Sequence, residues 1–330
     1  MKKILFLIII LVINISFAQA EEYPRTRPNS QEGPSKVNVS FYIIDIDDID
    51  NKEQSFTLDV IIRLKWKDKR LKHINKPIPL NAIWNPRIQI YNLRDMDTQF
   101  PEVVQVMDDG TVQYTQRYHA TLSSPLDFRE FPYDIQTLPI TLLSFGYTPE
   151  EVIMEFENAG GAEQYSISDW YVESVGAKTS TLEANFFKDG TEKIERSRLD
   201  YEFKAKRHIQ YYWWKVLAPL MVILFLSWAV FWIDPSQVGA QVGVSGTSIL
   251  TLIAFLYKLD NILPPVSYLT HLDHFIFTTL GLVFFAYLEA LVSTTFALNG
   301  KKELANKLDL VYRIGYPIIF AIVIYIFWLK

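Results

Sequence analysis

The chain of 330 residues contains no cysteine. This absence excludes disulfides, thiol chemistry, iron–sulfur clusters and zinc sites built from cysteine. Basic tracts are missing as well, and the formal net charge is −5 at pH 7. A mildly acidic chain without a basic tract lacks the electrostatic footprint of a nucleic-acid-binding protein. We therefore expect no nucleic-acid partner.

Apolar residues, in contrast, are abundant. Hydrophobic residues make up 49% of the chain and aromatic residues 15%, and the mean hydropathy is +0.08. This value is too high for a purely soluble protein. Part of the chain must therefore contact lipid.

The amino terminus has the pattern of an export signal. Lys2 and Lys3 precede an apolar run, and Ala18-Gln19-Ala20 is a small-x-small cleavage site. We predict a signal peptide at residues 1–20; an uncleaved anchor helix is the alternative. In both cases the following segment is exported, so the first domain is expected in the periplasm or exterior. Together with the apolar segments described below, this predicts a multi-pass protein of the inner (plasma) membrane.

Two parts of the mature chain differ in composition. Residues 21–208 are polar and rich in turn signals, whereas residues 209–330 contain nearly all the long apolar runs. The boundary is a change of composition rather than a flexible linker. We therefore predict an extracellular domain and a transmembrane domain that pack closely together.

Alternating segments predict strands in the extracellular part. Apolar residues occupy every second position from Phe56 to Trp66, and only Ile61 interrupts the polar positions, which is typical of a half-buried strand. Similar alternation occurs at Val37, Val39, Phe41 and Ile43, at Val112 and Tyr114, and at Leu199, Tyr201, Phe203 and Ala205. Turn signals such as Asp109-Gly110 separate the runs. The pattern predicts an all-β, antiparallel, immunoglobulin-like sandwich.

Four apolar segments follow, at about 216–233, 240–262, 275–298 and 310–329. Each is long enough to cross the ~30 Å hydrocarbon core of a bilayer as a helix. If the β domain is outside, the link between the third and fourth segments is cytoplasmic. That link contains Lys301, Lys302 and Lys307, in agreement with the positive-inside rule. We predict an all-α domain of four transmembrane helices.

The second apolar segment is unusually polar, because glycine, serine and threonine occupy most positions from 243 to 251. Steps of three and four residues place the following side chains on one helical face: Gly243, Thr247, Leu250, Ala254, Tyr257 and Asn261. Copies of this helix around an axis would enclose a water-filled pore, narrowed by rings of Leu250 and Tyr257 that can stop ions by dewetting. A small-residue face for helix–helix packing is the alternative.

Several motifs occur in a fixed order. They are W-x-D-x-R-L at 66–71, W-x-P at 84–86, F-P-x-D at 131–134 and N-I-L-P at 261–264 followed by Tyr268, with Pro219 in the first apolar segment. Together they resemble the pentameric ligand-gated ion channels of the Cys-loop receptor superfamily. Ser124 and Leu138 stand where the family's signature disulfide would form, and the link between the third and fourth segments is short. Both departures resemble prokaryotic members, in particular the bacterial amine-gated type.

The resemblance implies a ligand pocket of aromatic residues between neighbouring extracellular domains, where one cation–π contact is worth about 0.5–2 kcal/mol. The candidates are Phe145, Tyr147, Phe186, Phe187 and Gln89, with Arg63 and Thr115 supplied by the neighbouring subunit. Phe186 and Phe187 are adjacent in a predicted hairpin arm, so at least one should be exposed. A place in the β core is the alternative for Phe145. Leu143 replaces an acidic residue of amine-gated relatives, which leaves the agonist open.

The resemblance also implies how the two domains are coupled. The implied coupling residues are Ile49, Asp50, Pro132, Asp134, Arg207, Pro264 and Tyr268. We expect an ion pair between Asp134 and Arg207 that is partly shielded at the domain boundary, so that loss of one partner strands a charge. A solvated pair of little energetic value is the alternative.

Ion selectivity is less clearly encoded. Residues 239–243 resemble the anion-selective pattern without its arginine, whereas Asp260 would form an acidic ring at the outer end that is offset in part by Lys258. We expect a cation-conducting channel.

The expected partners of the chain are identical subunits in a homopentamer, because a lone polar helix needs symmetry-related copies. The other expected partners are a small-molecule agonist, monovalent or divalent ions and membrane lipids.

Two other function classes remain as alternatives. A pore-less, membrane-anchored periplasmic sensor or binding protein would explain the β domain but not the polar stripe. A membrane-anchored enzyme is disfavoured because the sequence has no nucleophile elbow, phosphate loop or H-E-x-x-H motif. His271, Asp273 and His274 are the nearest approach to a metal cluster, and we interpret them as interfacial. We expect neither a catalytic site nor a metal nor a cofactor, and a pH-gated channel would have the same sequence features.

Overall fold

A computed structural model of the chain describes residues 23–74, 76–184, 193–259 and 266–328. Several sequence-based predictions fall outside these ranges: the signal peptide at 1–20, the ligand candidates Phe186 and Phe187, the pore and coupling candidates Asn261 and Pro264, and the acidic ring at Asp260.

The described residues before position 208 form strands joined by turns and two short 3-10 helices, Lys69–Leu71 and Leu80–Ala82. The strands are β1 (Ser35–Asp50), β2 (Ser55–Lys67), β3 (Ile78–Pro79), β4 (Ile88–Ile90), β5 (Leu93–Thr98), β6 (Val103–Val106), β7 (Thr111–Ser123), β8 (Ile135–Ser144), β9 (Val152–Gly161), β10 (Trp170–Ala184) and β11 (Ile194–Arg207).

These strands form two sheets. The first has the order β3-β6-β7-β2-β1-β9, with β5 also paired to β7, and the second has the order β10-β11-β8-β4. The expected antiparallel pairing holds except at one edge, where β9 runs parallel to β1. Short hairpin turns force antiparallel neighbours, whereas the segment from β8 to β9 crosses from one sheet to the other and brings β9 in alongside β1 in the same direction.

The core of this domain follows from the alternation in the sequence. Every second side chain of β2 from Phe56 to Trp66 is buried, whereas the polar side chains between them are half-buried or exposed. The sheets meet face to face where Phe41 of β1 stacks on Tyr201 of β11, with ring centroids 4.8 Å apart. The apolar face of each sheet is thereby removed from water, which is the main stabilising contribution in such a sandwich.

Four helices follow within the described ranges: α1 (Gln210–Trp232), α2 (Val238–Leu259), α3 (His271–Leu298) and α4 (Lys302–Trp328). Of these, α1, α2 and α3 are long and apolar enough to cross a membrane. The fourth predicted span, at about 310–329, falls largely on α4, and its membrane crossing stays a prediction. Only His208 and Ile209 separate β11 from α1, so the two parts are directly joined.

We predict that Gly110→Ala destabilises the protein. Gly110 lies in the turn between β6 and β7 with φ +83, and a Cβ there would lie 2.7 Å from the backbone oxygen of Asp68. A left-handed conformation of this kind costs a non-glycine residue about 1–3 kcal/mol, and the contact with a backbone atom adds to it. The melting temperature of the solubilised protein should fall accordingly.

Gly33→Ala is the matched control, because Gly33 has φ +105 with open space around the added Cβ. It should cost less than Gly110→Ala. Equal losses for the two variants would mean that the contact with Asp68 contributes nothing.

Candidate functional site

The predicted pore stripe lies on one exposed face of α2. All five of its described residues are exposed: Gly243, Thr247, Leu250, Ala254 and Tyr257. Among the large hydrophobic side chains of α2, Leu250 and Tyr257 are the most exposed, at 69% and 79%. The opposite face is buried against the other helices and consists of Gln241, Ser245, Ser248, Leu252 and Leu259. Within one subunit, the stripe therefore points away from the rest of the bundle.

The polar groups of α2 are satisfied within the helix itself. The hydroxyls of Thr247 and Thr251 donate to the carbonyls of Gly243 and Thr247, at 2.8 Å each. A Cβ on Gly243 would meet nothing within 4 Å. The small residues of the stripe therefore do not serve close packing of helices within one chain. Packing against another copy of the chain, or contact with water, remains open to this face.

Phe145 and Gln89 line the same cleft, of about 530 Å³, on the extracellular domain. Phe145 is 39% exposed, so the alternative that placed it in the β core is wrong. Tyr91, which the sequence analysis missed, is also exposed and lies with its ring centroid 6.5 Å from that of Phe145. An aromatic residue shortly after the W-x-P motif was the available signal.

Tyr147 contacts a tryptophan of the sequence motifs, and its expected part in ligand binding stays a prediction. Its hydroxyl accepts a hydrogen bond from Trp84 Nε1 at 2.7 Å, and the two rings lie 5.6 Å apart. Trp84 in turn packs edge-on against Trp66 at 6.1 Å. Tyr147 therefore supports the two tryptophans of the sequence motifs beneath the cleft and is half-buried in that cluster.

Arg63 and Thr115 are cross-strand partners on β2 and β7 and line a second cleft of about 370 Å³. Their chain neighbours Leu64 and Tyr114 line the cleft of Phe145. Since successive residues of a strand point to opposite faces, the two clefts lie on opposite sides of the sheet. A single chain therefore does not bring Arg63 and Thr115 together with Phe145.

The chemistry of the Phe145 cleft is mixed. One basic residue, Arg87, and one acidic residue, Glu102, contribute to its lining, together with Tyr114 and Tyr118. Burial raises the pKa of both tyrosine hydroxyls, because a phenolate would lose its hydration. Both tyrosines thus stay neutral and able to donate a hydrogen bond. Such a lining suits a small polar molecule.

A buried ion pair lies at the boundary between the β domain and the helices. Arg207 Nε donates to Asp134 Oδ1 at 2.9 Å and Nη2 donates to Oδ2 at 3.0 Å, with both side chains 1% exposed. Gln136 donates a further hydrogen bond to Asp134 at 2.6 Å. The ion pair expected from the sequence is therefore present, and the solvated alternative is wrong.

Arg207 also contacts three residues that the sequence analysis missed. Its Nη2 donates to Asn51 Oδ1 at 3.1 Å and its Nη1 to the Tyr212 hydroxyl at 3.2 Å. The guanidinium carbon lies 3.9 Å from the ring centroid of Trp170, a cation–π contact. One side chain thus joins the β1–β2 turn, the F-P-x-D turn, β10 and the start of α1.

Three other predicted coupling residues lie close, in the chain, to residues that contact this arginine. Ile49 is buried at the end of β1, and Asp50 Oδ1 accepts from the backbone N–H of Lys52 at 2.8 Å in the turn that follows. Pro132 is buried beside Asp134, after a cis peptide bond with Phe131. The residues are therefore near the boundary, as the resemblance implied; their coupling role stays a prediction.

A second contact joins the loop after β7 to the start of α3. The Tyr268 hydroxyl accepts from the backbone N–H of Phe128 at 2.9 Å. The backbone N–H groups of His271 and Leu272 donate to the carbonyls of Arg129 and Phe131, at 3.0 and 3.2 Å. This loop is therefore joined to the start of α3 by three hydrogen bonds.

Asp273 forms part of the N-terminal cap of α3. Its Oδ2 accepts from the backbone N–H and the hydroxyl of Thr270, at 2.8 Å each, and the backbone N–H of Asp273 donates back to the Thr270 hydroxyl at 3.1 Å. This is a capping box, in which the two residues satisfy each other's free backbone groups. The acidic member of the His-Asp-His group is thus used to begin a helix at the domain boundary.

Comparison with known proteins gives two family models that match the chain. The neurotransmitter-gated ion-channel ligand-binding domain matches residues 20–209, and the neurotransmitter-gated ion-channel transmembrane region matches residues 216–308. A proton-gated ion channel of Gloeobacter violaceus is 29% identical over 304 residues, which is 89% of this chain and 83% of that protein. The gamma-aminobutyric acid receptor subunit theta of Mus musculus is 28% identical over 276 residues, which is 80% of this chain but only 43% of that subunit.

We predict that Asp134→Asn lowers the free energy of unfolding by about 3–5 kcal/mol, because it leaves the Arg207 guanidinium buried without a counter-charge. Chemical unfolding of the solubilised protein measures the loss. The control is Lys36→Gln, which breaks the Lys36–Glu155 pair, whose side chains are 67% and 45% exposed. Such a surface pair contributes less than about 1 kcal/mol. A small loss for both variants would contradict the importance of the buried pair.

Proposed function

Since the chain belongs to the neurotransmitter-gated ion-channel family, we propose that it is one subunit of a homopentamer that opens a cation-conducting transmembrane pore. The family membership confirms the resemblance seen in the motifs, and family members are ion channels rather than enzymes. The opening signal in this proposal is a small ligand, or a pH change, acting at the extracellular interface between subunits. The observation that carries the proposal is the exposed stripe of α2.

The stripe supports a pore because its exposure is unfavourable for a subunit alone. Thr247 would face hydrocarbon in an isolated subunit, whereas copies of α2 around an axis would place it in water. Leu250 and Tyr257 would then form two apolar rings, and an apolar ring of sufficient narrowness excludes ions by dewetting. Symmetric closure of such a ring requires identical copies, which supports a homo-oligomer.

The position of the two clefts supports a ligand site between subunits. Phe145, Tyr91 and Gln89 lie on one side of the domain and Arg63 and Thr115 on another, so only a neighbouring copy would complete the predicted set. Phe186 and Phe187 stay part of this proposal on the sequence alone. One relative is named as proton-gated and the other as a gamma-aminobutyric acid receptor subunit. Both an organic agonist and a change of pH are therefore included in the proposal as opening signals.

Cation conduction is the finer part of the proposal. Its support is Asp260 at the outer end of the sequence segment, which the neighbouring Lys258 offsets in part, together with the lack of an arginine in the segment 239–243 that otherwise resembles the anion-selective pattern. An acidic ring concentrates cations near a pore. The location proposed is the inner membrane, with α4 as the fourth span and the β domain in the periplasm.

We predict that Leu250→Ala shifts gating toward the open state. Removal of the apolar ring weakens the closed pore by about 1–2 kcal/mol, which corresponds to a roughly tenfold lower ligand or proton change for half-maximal current. The measurement is current under voltage clamp while amines, carboxylates and pH are screened, and the reversal potential reports the ion. Val222→Ala, at an exposed position of α1, should leave gating unchanged.

Silence of both wild type and Leu250→Ala, with surface expression verified, would contradict the channel and favour the pore-less sensor. Currents with the same activation curve in both would retain the channel but exclude Leu250 as its gate.

We predict that Phe145→Ala raises the agonist concentration for half-maximal current roughly tenfold, through loss of an aromatic contact. Phe156→Ala is the matched control, because Phe156 has nearly the same exposure, 40% against 39% for Phe145, but lies on β9 outside both clefts. Equal effects of the two substitutions, or no effect of either, would contradict a ligand site at Phe145.

A further inference from the structure

Two acidic side chains are buried between α3 and α4. Glu289 of α3 is 2% exposed and Asp309 of α4 is 0% exposed. Asp309 Oδ1 accepts a hydrogen bond from the Ser293 hydroxyl at 2.6 Å. Within the described part of the chain, both Glu289 oxygens and Asp309 Oδ2 have no hydrogen-bond donor. The pair therefore has one donor for two carboxyl groups.

The charged groups around the pair do not neutralise it. Arg313, one turn after Asp309 on α4, is the cation that acts on Glu289. Its Nε donates to the Phe231 carbonyl of α1 at 2.7 Å, and its guanidinium carbon lies 4.7 Å from the ring centroid of Trp232. From α2, the buried polar residues among those described are Gln241, Ser245 and Ser248, none of which carries a charge. Lys302, at the start of α4, pairs with Asp234 at 2.9 Å on the surface.

Glu289 lies one helical turn before Ser293 on α3, and the Ser293 hydroxyl donates to Asp309, so the two buried carboxyl groups face each other between the helices. Ionised carboxylates only accept hydrogen bonds, so two of them in contact repel and leave their lone pairs unsatisfied. A single proton between them supplies the missing donor and removes one of two like charges from an apolar bundle. We propose that Glu289 and Asp309 hold one shared proton, and that this buried proton-binding site joins α3 to α4.

The shared proton makes the packing of α4 dependent on pH. The folded protein binds one proton more than the unfolded chain, whose separate carboxyls are ionised at neutral pH. The free energy of unfolding therefore falls as pH rises, since the unfolded state binds fewer protons. The site involves neither the α2 stripe nor the extracellular clefts, so the proposal stands or falls independently of ligand gating.

Infrared spectroscopy of the assembled wild-type protein tests the proton directly. At neutral pH we expect a carbonyl stretching band of a protonated, hydrogen-bonded carboxylic acid that shifts when glutamate and aspartate are isotopically labelled and is altered by Glu289→Gln. Absence of a protonated-carboxyl band in the wild type at neutral pH would overturn the proposal. The band of the wild-type protein is measured without any variant, so this part of the test stays decisive even if the substitutions prevent folding.

Melting temperature as a function of pH tests the consequence. Glu289→Gln and Asp309→Asn each replace the shared proton with permanent amide hydrogens, so their melting temperatures should change less between about pH 5 and about pH 9 than that of the wild type. The melting temperature of each variant should therefore rise relative to that of the wild type as pH rises. Glu303→Gln, at an exposed position of α4, should follow the wild type. A gap that is constant with pH would contradict the shared proton.

Discussion

The joint between the two parts of the molecule depends on the buried ion pair of Arg207 and Asp134. Burial of two charges is costly, and it is tolerated here because each remaining polar atom finds a partner: Gln136 on the carboxylate, and Asn51 and Tyr212 on the guanidinium. The apolar faces of Trp170 and Phe131 cover the planar sides of the arginine. The last strand therefore enters the first helix at a defined angle.

The same ion pair lies where several segments of the β domain and the helices meet. Arg207 directly precedes α1, Asp134 belongs to a loop that also contacts the start of α3, and Asn51 belongs to the β1–β2 turn. In the proposed channel, a displacement of the β domain would therefore act on α1 and α3 together. Loops without such buried contacts would absorb the displacement, because exposed turns are held by few interactions.

A second constraint is that several features of the subunit are incomplete alone. The polar face of α2 is exposed among the described residues, and the two clefts of the β domain lie on opposite faces of one sheet. In the proposed oligomer, repetition of the same chain around an axis would cover the face of α2 and bring the two clefts of neighbouring copies together. The interior of the helical bundle differs, since its buried acids face each other within one subunit and need only a proton.

The sequence by itself determined the features that repeat along a single element. The period of two placed Phe56 to Trp66 in the core, and the steps of three and four placed Leu250 and Tyr257 on one exposed face, because a side chain's direction is set by the geometry of its own strand or helix. The resemblance to the family also implied Asp134 and Arg207 as partners. Only the tertiary structure decided that Tyr147 supports Trp84, that Tyr91 lies beside Phe145, that β9 runs parallel to β1 and that Glu289 meets Asp309. These contacts join distant parts of the chain, and they depend on how whole sheets and helices pack rather than on any local pattern.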